Sequence, residues 1–266
     1  MSVHSRNNIQ VIGTGTTALV FAHGFGCDQN MWRYLAPSFT DRFTVVLFDL
    51  VGSGQSDLAA YDFKKYESLH GYASDLIEII DSVTDKPVVF VGHSVSAVIG
   101  LLASVDAPEK FKCQIMIGPS PCYINEGDYI GGFSRADVEE LCNTIDNNYL
   151  GWSGTMAPAI MGAPEKPELG VELTNSFCRT DPEIAKHFAR TTFLSDHRDA
   201  LSKSITPSLI LQCSDDFIAP RTVGEYMHKT MPDAELCIID NVGHCPHLSS
   251  PDASTRAIEN YLTKHF

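Results

Sequence analysis

Residues 88–105 read VVFVGHSVSAVIGLLASV. Val88 to Val91 is an unbroken run of β-formers; Gly92-His93-Ser94-Val95-Ser96 comes next, and then a small, apolar stretch of helical character. A strand that turns sharply into a helix at G-x-S lifts the serine hydroxyl onto a strained tip with a helix N-terminus behind it. Such a serine becomes a nucleophile when a histidine base and an orienting acid arrive from elsewhere in the chain. The second glycine of the usual G-x-S-x-G is Ser96 here, so the pattern is met imperfectly. Two plainer readings compete. Eighteen residues without formal charge are long enough for a bilayer, but His93, three serines and two glycines argue against a span. A buried strand and helix with an ordinary serine at the turn is the other, and the stretch alone leaves it open.

Upstream, Ile9 to Ile12 reads as a strand, and Gly13-Thr14-Gly15-Thr16-Thr17-Ala18 fits a dinucleotide-binding G-x-G-x-x-A. That motif needs a helix immediately after it. Ala18 to Ala22 reads as another strand instead, so a hairpin turn is expected. His23-Gly24-Phe25-Gly26 comes next, with glycines that let the backbone pass close under a ligand and aim the Phe25 N–H at the serine tip. Asp28 is placed to cap a helix through Trp32 and Leu35, Phe43 to Leu50 reads as a buried strand, and Tyr66 to Val83 as an amphipathic helix.

Downstream, a helix over Val95–Val105 leads to a strand at Cys113–Ile117. From Pro121 to His197 no strand-like run occurs; helices are expected near 134–149, 151–162, 168–179 and 181–195. An insert this long is no loop. It reads as a lid, with Phe133, Trp152, Met156, Phe177 and Phe193 as candidates to face a cavity, although most such residues simply pack one layer on another. Strands at Ser208–Cys213 and Glu235–Ile239, with helices over 221–231 and 252–264, complete an alternation that implies a mostly parallel sheet covered on both faces. The expected division is a core of residues 1–120 and 197–266 with a helical insertion at 121–196.

The 266 residues carry 33 acidic against 19 basic side chains, a net charge of −14, and no Lys/Arg block, which disfavours nucleic acid and anionic membrane as partners. Eight scattered cysteines without a C-x-x-C pair, behind the polar start MSVHSRNNIQ, predict free thiols in a cytoplasmic protein. His244-Cys-Pro-His247 resembles a metal pair, but no second ligand cluster sits at zinc spacing, so no metal is expected.

Three polar positions fall at strand C-terminal ends, where open parallel sheets place their sites: Ser94, the Asp215/Asp216 pair and His244. Each alone is commonly structural. Together, in the order Ser, Asp, His, they match an elbow serine served by an acid and a base from later strands. Asp216 is preferred over Asp215 because it leads into the Phe-Ile-Ala-Pro turn; Asp240 is a weaker third candidate.

The runs HGFGCDQNMW, FDLVGSGQSDLAAYDF, FVGHSVSA, GPSPCYINEGDYIGGF, DPEIAKHFARTTFLSDHR, LILQCSDDFIAP and GHCPHLSSP, spread over nearly the whole chain, resemble a particular group of α/β-hydrolases. The group contains the bacterial sigma-B stress-pathway regulator RsbQ and the plant karrikin and strigolactone receptors. GPSPCY and the run ending SDHR look closest to the bacterial member, whereas GHSVSA resembles the plant receptors. The resemblance implies an α/β-hydrolase fold with a mostly parallel sheet and a four-helix V-shaped lid. It implies Ser94 as nucleophile, His244 as base, Asp216 as orienting acid and the N–H groups of Phe25 and Val95 as oxyanion hole. It also implies a mainly apolar pocket, with Phe25, Tyr123, Phe133, Trp152, Met156, Phe193 and Phe217 as its candidate walls. The expected activity is cleavage of a small hydrophobic ester or (enol-)lactone without cofactor. The alternative is a ligand-sensing module whose lid recruits a protein, a PAS-domain phosphatase if the bacterial likeness holds. Dehalogenation is disfavoured, since it needs an acidic nucleophile at position 94.

Overall fold

The computed structural model describes residues 2–265. Its centre is a seven-stranded sheet of β1 (Gln10–Ile12), β2 (Thr17–Ala22), β3 (Phe43–Phe48), β4 (Val88–His93), β5 (Phe111–Ile117), β6 (Ser208–Asp215) and β7 (Ala234–Val242). The strands lie in the order β1-β3-β2-β4-β5-β6-β7, parallel throughout except for β1 against β3. Leu19, Val20, Phe21 and Val88 to Val91 are fully buried, as central parallel strands covered on both faces must be.

The helices, in chain order, are α1 (Val3–Arg6), α2 (Leu69–Val83), α3 (Val95–Asp106), α4 (Arg135–Met161), α5 (Pro167–Arg179), α6 (Pro182–Phe193), α7 (Arg198–Leu201), α8 (Arg221–Thr230), α9 (Pro246–Ser249) and α10 (Pro251–His265). α3 packs on β4 and β5 and is buried almost all round, which explains its lack of a polar face. Its approach to the sheet depends on Gly100, where a methyl group would stand 2.1 Å from the Phe90 ring. Among the described residues no helix is long and apolar enough to cross a membrane, and all eight cysteines are free.

Two expectations at the N-terminal side change. Gly13 to Thr16 is not a hairpin turn: β1 pairs with β3, and β2 lies beyond β3. The glycines serve a close crossing instead, since a Cβ on Gly13 would meet the Phe43 carbonyl at 2.4 Å and one on Gly15 the Arg42 carbonyl at 2.1 Å. Asp28 does cap, but it caps the 3-10 turn Gln29–Trp32, and a second 3-10 turn at Ala36–Phe39 takes up the rest of the expected helix.

Between β5 and β6 stand α4, α5, α6 and the short α7. α4 begins with a capping box of Ser134 and Asp137 and breaks at Asn148 (φ −153°, ψ 70°), so it holds the two helices expected at 134–149 and 151–162, joined directly across a kink. Pro167 and Pro182 open the next two helices, at positions where the missing N–H costs no hydrogen bond. Gly162 ends α4 in the left-handed region (φ 64°), and its Cα side lies so near Gly243 that a Cβ would approach the Gly243 Cα to 2.6 Å. The insert is thereby seated on the turn after β7.

Candidate active site

Ser94 lies between β4 and α3 with φ 56° and ψ −123°. Only Asn8 shares a positive φ among the described non-glycine residues. This backbone region is nearly closed to residues with a Cβ, and occupying it costs on the order of 1–3 kcal/mol. The elbow is held by the Ser94 amide donating to the Ile117 carbonyl at 2.8 Å. Gly92 admits the helix behind, since a Cβ there would meet the Ser96 carbonyl at 2.6 Å. Ser96, in the place of the usual glycine, is fully buried and donates its hydroxyl to the His23 carbonyl, so the departure from the motif ties α3 to the end of β2.

His244 comes after β7, and its ring reaches back to the elbow: Nε2 is 2.8 Å from Ser94 Oγ and Nδ1 2.6 Å from Asp216 Oδ2. A carboxylate only accepts, so Nδ1 carries the proton and Nε2 presents a lone pair to the serine hydroxyl. Asp216 Oδ1 accepts from the amides of Ile218 (2.9 Å) and Ala219 (3.1 Å), which fixes the carboxylate plane. Asp215 is exposed, and Asp240 meets Ser214 at the surface; neither reaches the ring. The His244 amide donates to the Ile160 carbonyl at 2.8 Å, joining the histidine loop to α4.

The loop after β2 runs directly against the elbow. A methyl group on Gly24 would stand 2.5 Å from His93 Nδ1 and 3.4 Å from Ser94 Cβ. The next residue, Phe25, lines the same cavity as Ser94, and the Val95 amide opens α3 with no helical acceptor of its own. His23 anchors the loop: Nδ1 donates to the Gly24 carbonyl (2.9 Å), and Nε2 accepts from the Leu50 amide (3.0 Å) at the end of the neighbouring strand.

Above the serine, the Phe25 ring sits among Trp152, Phe177, Phe188 and Phe193, with ring centroids 5.6–6.3 Å apart. The cavity they enclose is about 30 Å³, lined chiefly by apolar groups around Ser94 and His244. Of the residues expected at a pocket, Phe25, Trp152, Phe177 and Phe193 line it. Tyr123 stands behind Phe193 (5.0 Å between ring centroids); burial pushes its phenol up to about 12, opposed by the Ser94 hydroxyl within its reach. Phe133, Met156 and Phe217 lie outside the lining. Phe133 is half-buried in the strap before α4, where its backbone pairs with Tyr123 and Asn125. Met156 rides on the half-exposed shoulder of α4 beside the buried Ala157. Phe217 is 41% exposed, because the two amides after it turn in to Asp216. Cys27, Ile160, Leu173, Ile218 and Cys245 line the cavity without having been expected. Leu173 was readable in principle, four residues before Phe177 on the buried face of α5; the others carry no local signal.

A model of the alpha/beta hydrolase family matches residues 19–257. The chain belongs to this family. It is 38% identical over 252 residues to a probable esterase of Oryza sativa subsp. japonica, covering 94% of this chain and 93% of that one. It is 35% identical over 251 residues to "Karrikin insensitive 2 receptor CA" of Petunia hybrida, again covering 94% and 93%. Among solved structures, a hydrolase from Oleispira antarctica is 45% identical and superposes with a TM-score of 0.95 over 98% of this chain and 96% of that one. The resemblance to the karrikin and strigolactone receptor group is thus borne out, as is the mostly parallel α/β-hydrolase sheet.

Proposed function

We propose that this hydrolase cleaves a small, largely apolar ester or enol-lactone by acyl transfer through Ser94, beneath a lid formed by residues 121–196. One observation carries the reading: the hydrogen-bonded run Asp216–His244–Ser94, with the serine held at φ 56°. His244 Nε2 takes the hydroxyl proton as Oγ attacks the carbonyl carbon, and Asp216 stabilises the imidazolium without accepting its proton. The amides of Phe25 and Val95 receive the oxyanion, each donor being worth roughly 3 kcal/mol. His244 then hands its proton to the departing alkoxide; water, deprotonated by the same nitrogen, releases the acid. The apolar lining argues against charged or polymeric substrates, and esterase-named relatives support the carboxylic-ester class.

The test is turnover of p-nitrophenyl acetate and of a fluorogenic butenolide by the purified chain and by Ser94→Ala. Turnover should fall by at least about 10³-fold in the variant. Unchanged turnover there rejects Ser94 as nucleophile.

A second reading has one observation of its own. A cavity of about 30 Å³ is an order of magnitude below the roughly 300 Å³ at which ligand pockets begin, so binding requires α4–α6 to shift. On this reading the shift is a signal to a protein partner, a role supported by a receptor-named relative. Ligand-dependent capture of a specific partner, lost in Ser94→Ala, supports this role; fast turnover of many esters with no such capture counts against it.

A further inference from the structure

Directly beneath the relay lies a second cluster of side chains that the hydrolytic chemistry does not use. His93, Cys245 and His247 are all buried, and one ligand-competent atom from each lies within 4.8 Å of the others. Cys245 and His247 come from one turn; the third donor, supplied by β4, is what the linear spacing did not reveal. The His93 and His247 rings are 4.4 Å apart, and Trp32 closes the far side of His247 at 4.8 Å.

The proton positions favour coordination. His93 Nε2 faces the His244 carbonyl at 2.8 Å, and a carbonyl only accepts, so Nε2 carries the hydrogen and Nδ1 holds a lone pair with no hydrogen-bond partner. A ring that donates one N–H to a backbone carbonyl while its other nitrogen stays free is the usual arrangement behind a metal-bound imidazole. Both nitrogens of the fully buried His247 lack a partner as well. Buried polar atoms without partners are rare and costly. His93 and Cys245 also line the cavity at Ser94, so the shift of α4–α6 that admits a ligand would admit an ion as well.

We propose that His93, Cys245 and His247 form a site for a thiophilic cation of the zinc class, and that filling it switches the adjacent relay off. Two imidazoles and a thiolate are a borderline-soft set that suits Zn²⁺ with a fourth position open. The thiol proton leaves to solvent as the sulfur–metal bond forms. Edges of a tetrahedral zinc site are about 3.5 Å long, so donors spread over as much as 4.8 Å must draw together by about 1 Å. Cys245 is the next residue after His244, and His93 holds the His244 carbonyl, so this contraction pulls on the backbone that aims His244 at Ser94. A misplacement of that size costs about 10²-fold in rate.

The chelator-treated chain is titrated with Co²⁺ and then Zn²⁺ while near-ultraviolet absorbance and p-nitrophenyl acetate turnover are recorded. A single equivalent of Co²⁺ should give a thiolate-to-metal charge-transfer band that Zn²⁺ removes. Zinc should lower turnover by about 10²-fold, reversibly with EDTA. His247→Gln should lose the band, weaken binding by more than about 100-fold and turn over ester at the same rate with or without zinc. Cys245→Ser should lose the band too, so the assignment stays testable if His247→Gln does not fold. A band that survives in either variant, the absence of any stoichiometric band, or undiminished zinc inhibition of His247→Gln through the relay itself overturns the proposal. Because the absorbance needs no substrate, its outcome stands apart from that of the esterase reading.

Discussion

Asp216→Asn tests the hydrolytic reading most sharply, because the structure dictates which way the new amide must face. Oδ1 of Asp216 accepts from two backbone amides, those of Ile218 and Ala219, while Oδ2 accepts from His244 Nδ1. An asparagine keeps the two backbone bonds only with its oxygen toward them and its NH₂ toward His244. The opposite orientation sets that NH₂ against two buried N–H donors, at about 1–3 kcal/mol for each one left unsatisfied. The favoured orientation donates to Nδ1, moves the ring proton to Nε2 and leaves no lone pair to take the Ser94 proton. Loss of the working tautomer lowers kcat by about 10⁴-fold in the serine-protease precedent. That corresponds to about 5.5 kcal/mol of barrier at 1.36 kcal/mol per decade. Steady-state turnover of p-nitrophenyl acetate measures it, with thermal unfolding to confirm that the variant folds and Asp215→Asn, at an exposed position, as the control. A folded Asp216→Asn enzyme within about tenfold of the parent would refute the argument that tautomer control at His244 drives the reaction.

Three further outcomes are expected. Ser94→Gly should be more stable than Ser94→Ala by about 1 kcal/mol, or roughly 2–4 °C in Tm, because glycine relieves the φ of 56° and alanine does not; calorimetry giving the reverse order removes the strain. Gly24→Ala should cut kcat by about 10²–10³-fold with a modest fall in Tm, since its methyl group, 2.5 Å from His93 Nδ1, displaces the Phe25 amide from the serine; an unchanged kcat would detach that amide from catalysis. Arg198 pairs with Asp196 and Glu126 and holds the Asp196 carboxyl below its ordinary range, chiefly through their hydrogen bond. A depressed carboxyl contributes stability in full above its unfolded value of about 3.9 and loses it as pH falls through the folded one. Arg198→Ala should therefore cost up to about 1 kcal/mol at pH 7, discounted for solvent screening, and less at pH 3; equal costs in urea unfolding at both pH values contradict the assignment.

Much of this arrangement was legible in the chain because it rests on local chemistry. The runs around Val20 and Val89 read as covered strands, and a serine after G-H at the end of one reads as a sharp turn. The prolines at 167 and 182 mark where helices open, so the insert's elements could be read within a few residues. What escaped depends on partners distant in sequence. Gly13 and Gly15 announce a tight passage but not what is passed, so a crossing beneath Thr40–Phe43 looked like a hairpin. Phe217 was expected as a pocket wall from the resemblance, and its outward turn is decided by amides that bond behind it. The juxtaposition of His93 with Cys245 and His247 exists only once β4 and the turn after β7 are brought together.

Phe25 presents two faces to the molecule. Its amide is the proposed oxyanion donor, while its ring is gripped by Trp152 of α4, Phe177 of α5, and Phe188 and Phe193 of α6. Ring and amide share one Cα, so every helix of the roof has a lever on the same peptide plane. On the proposed mechanism a displacement overhead would reach the scissile carbonyl with no relay of intervening residues, and the pace of the chemistry would gauge how the roof is seated.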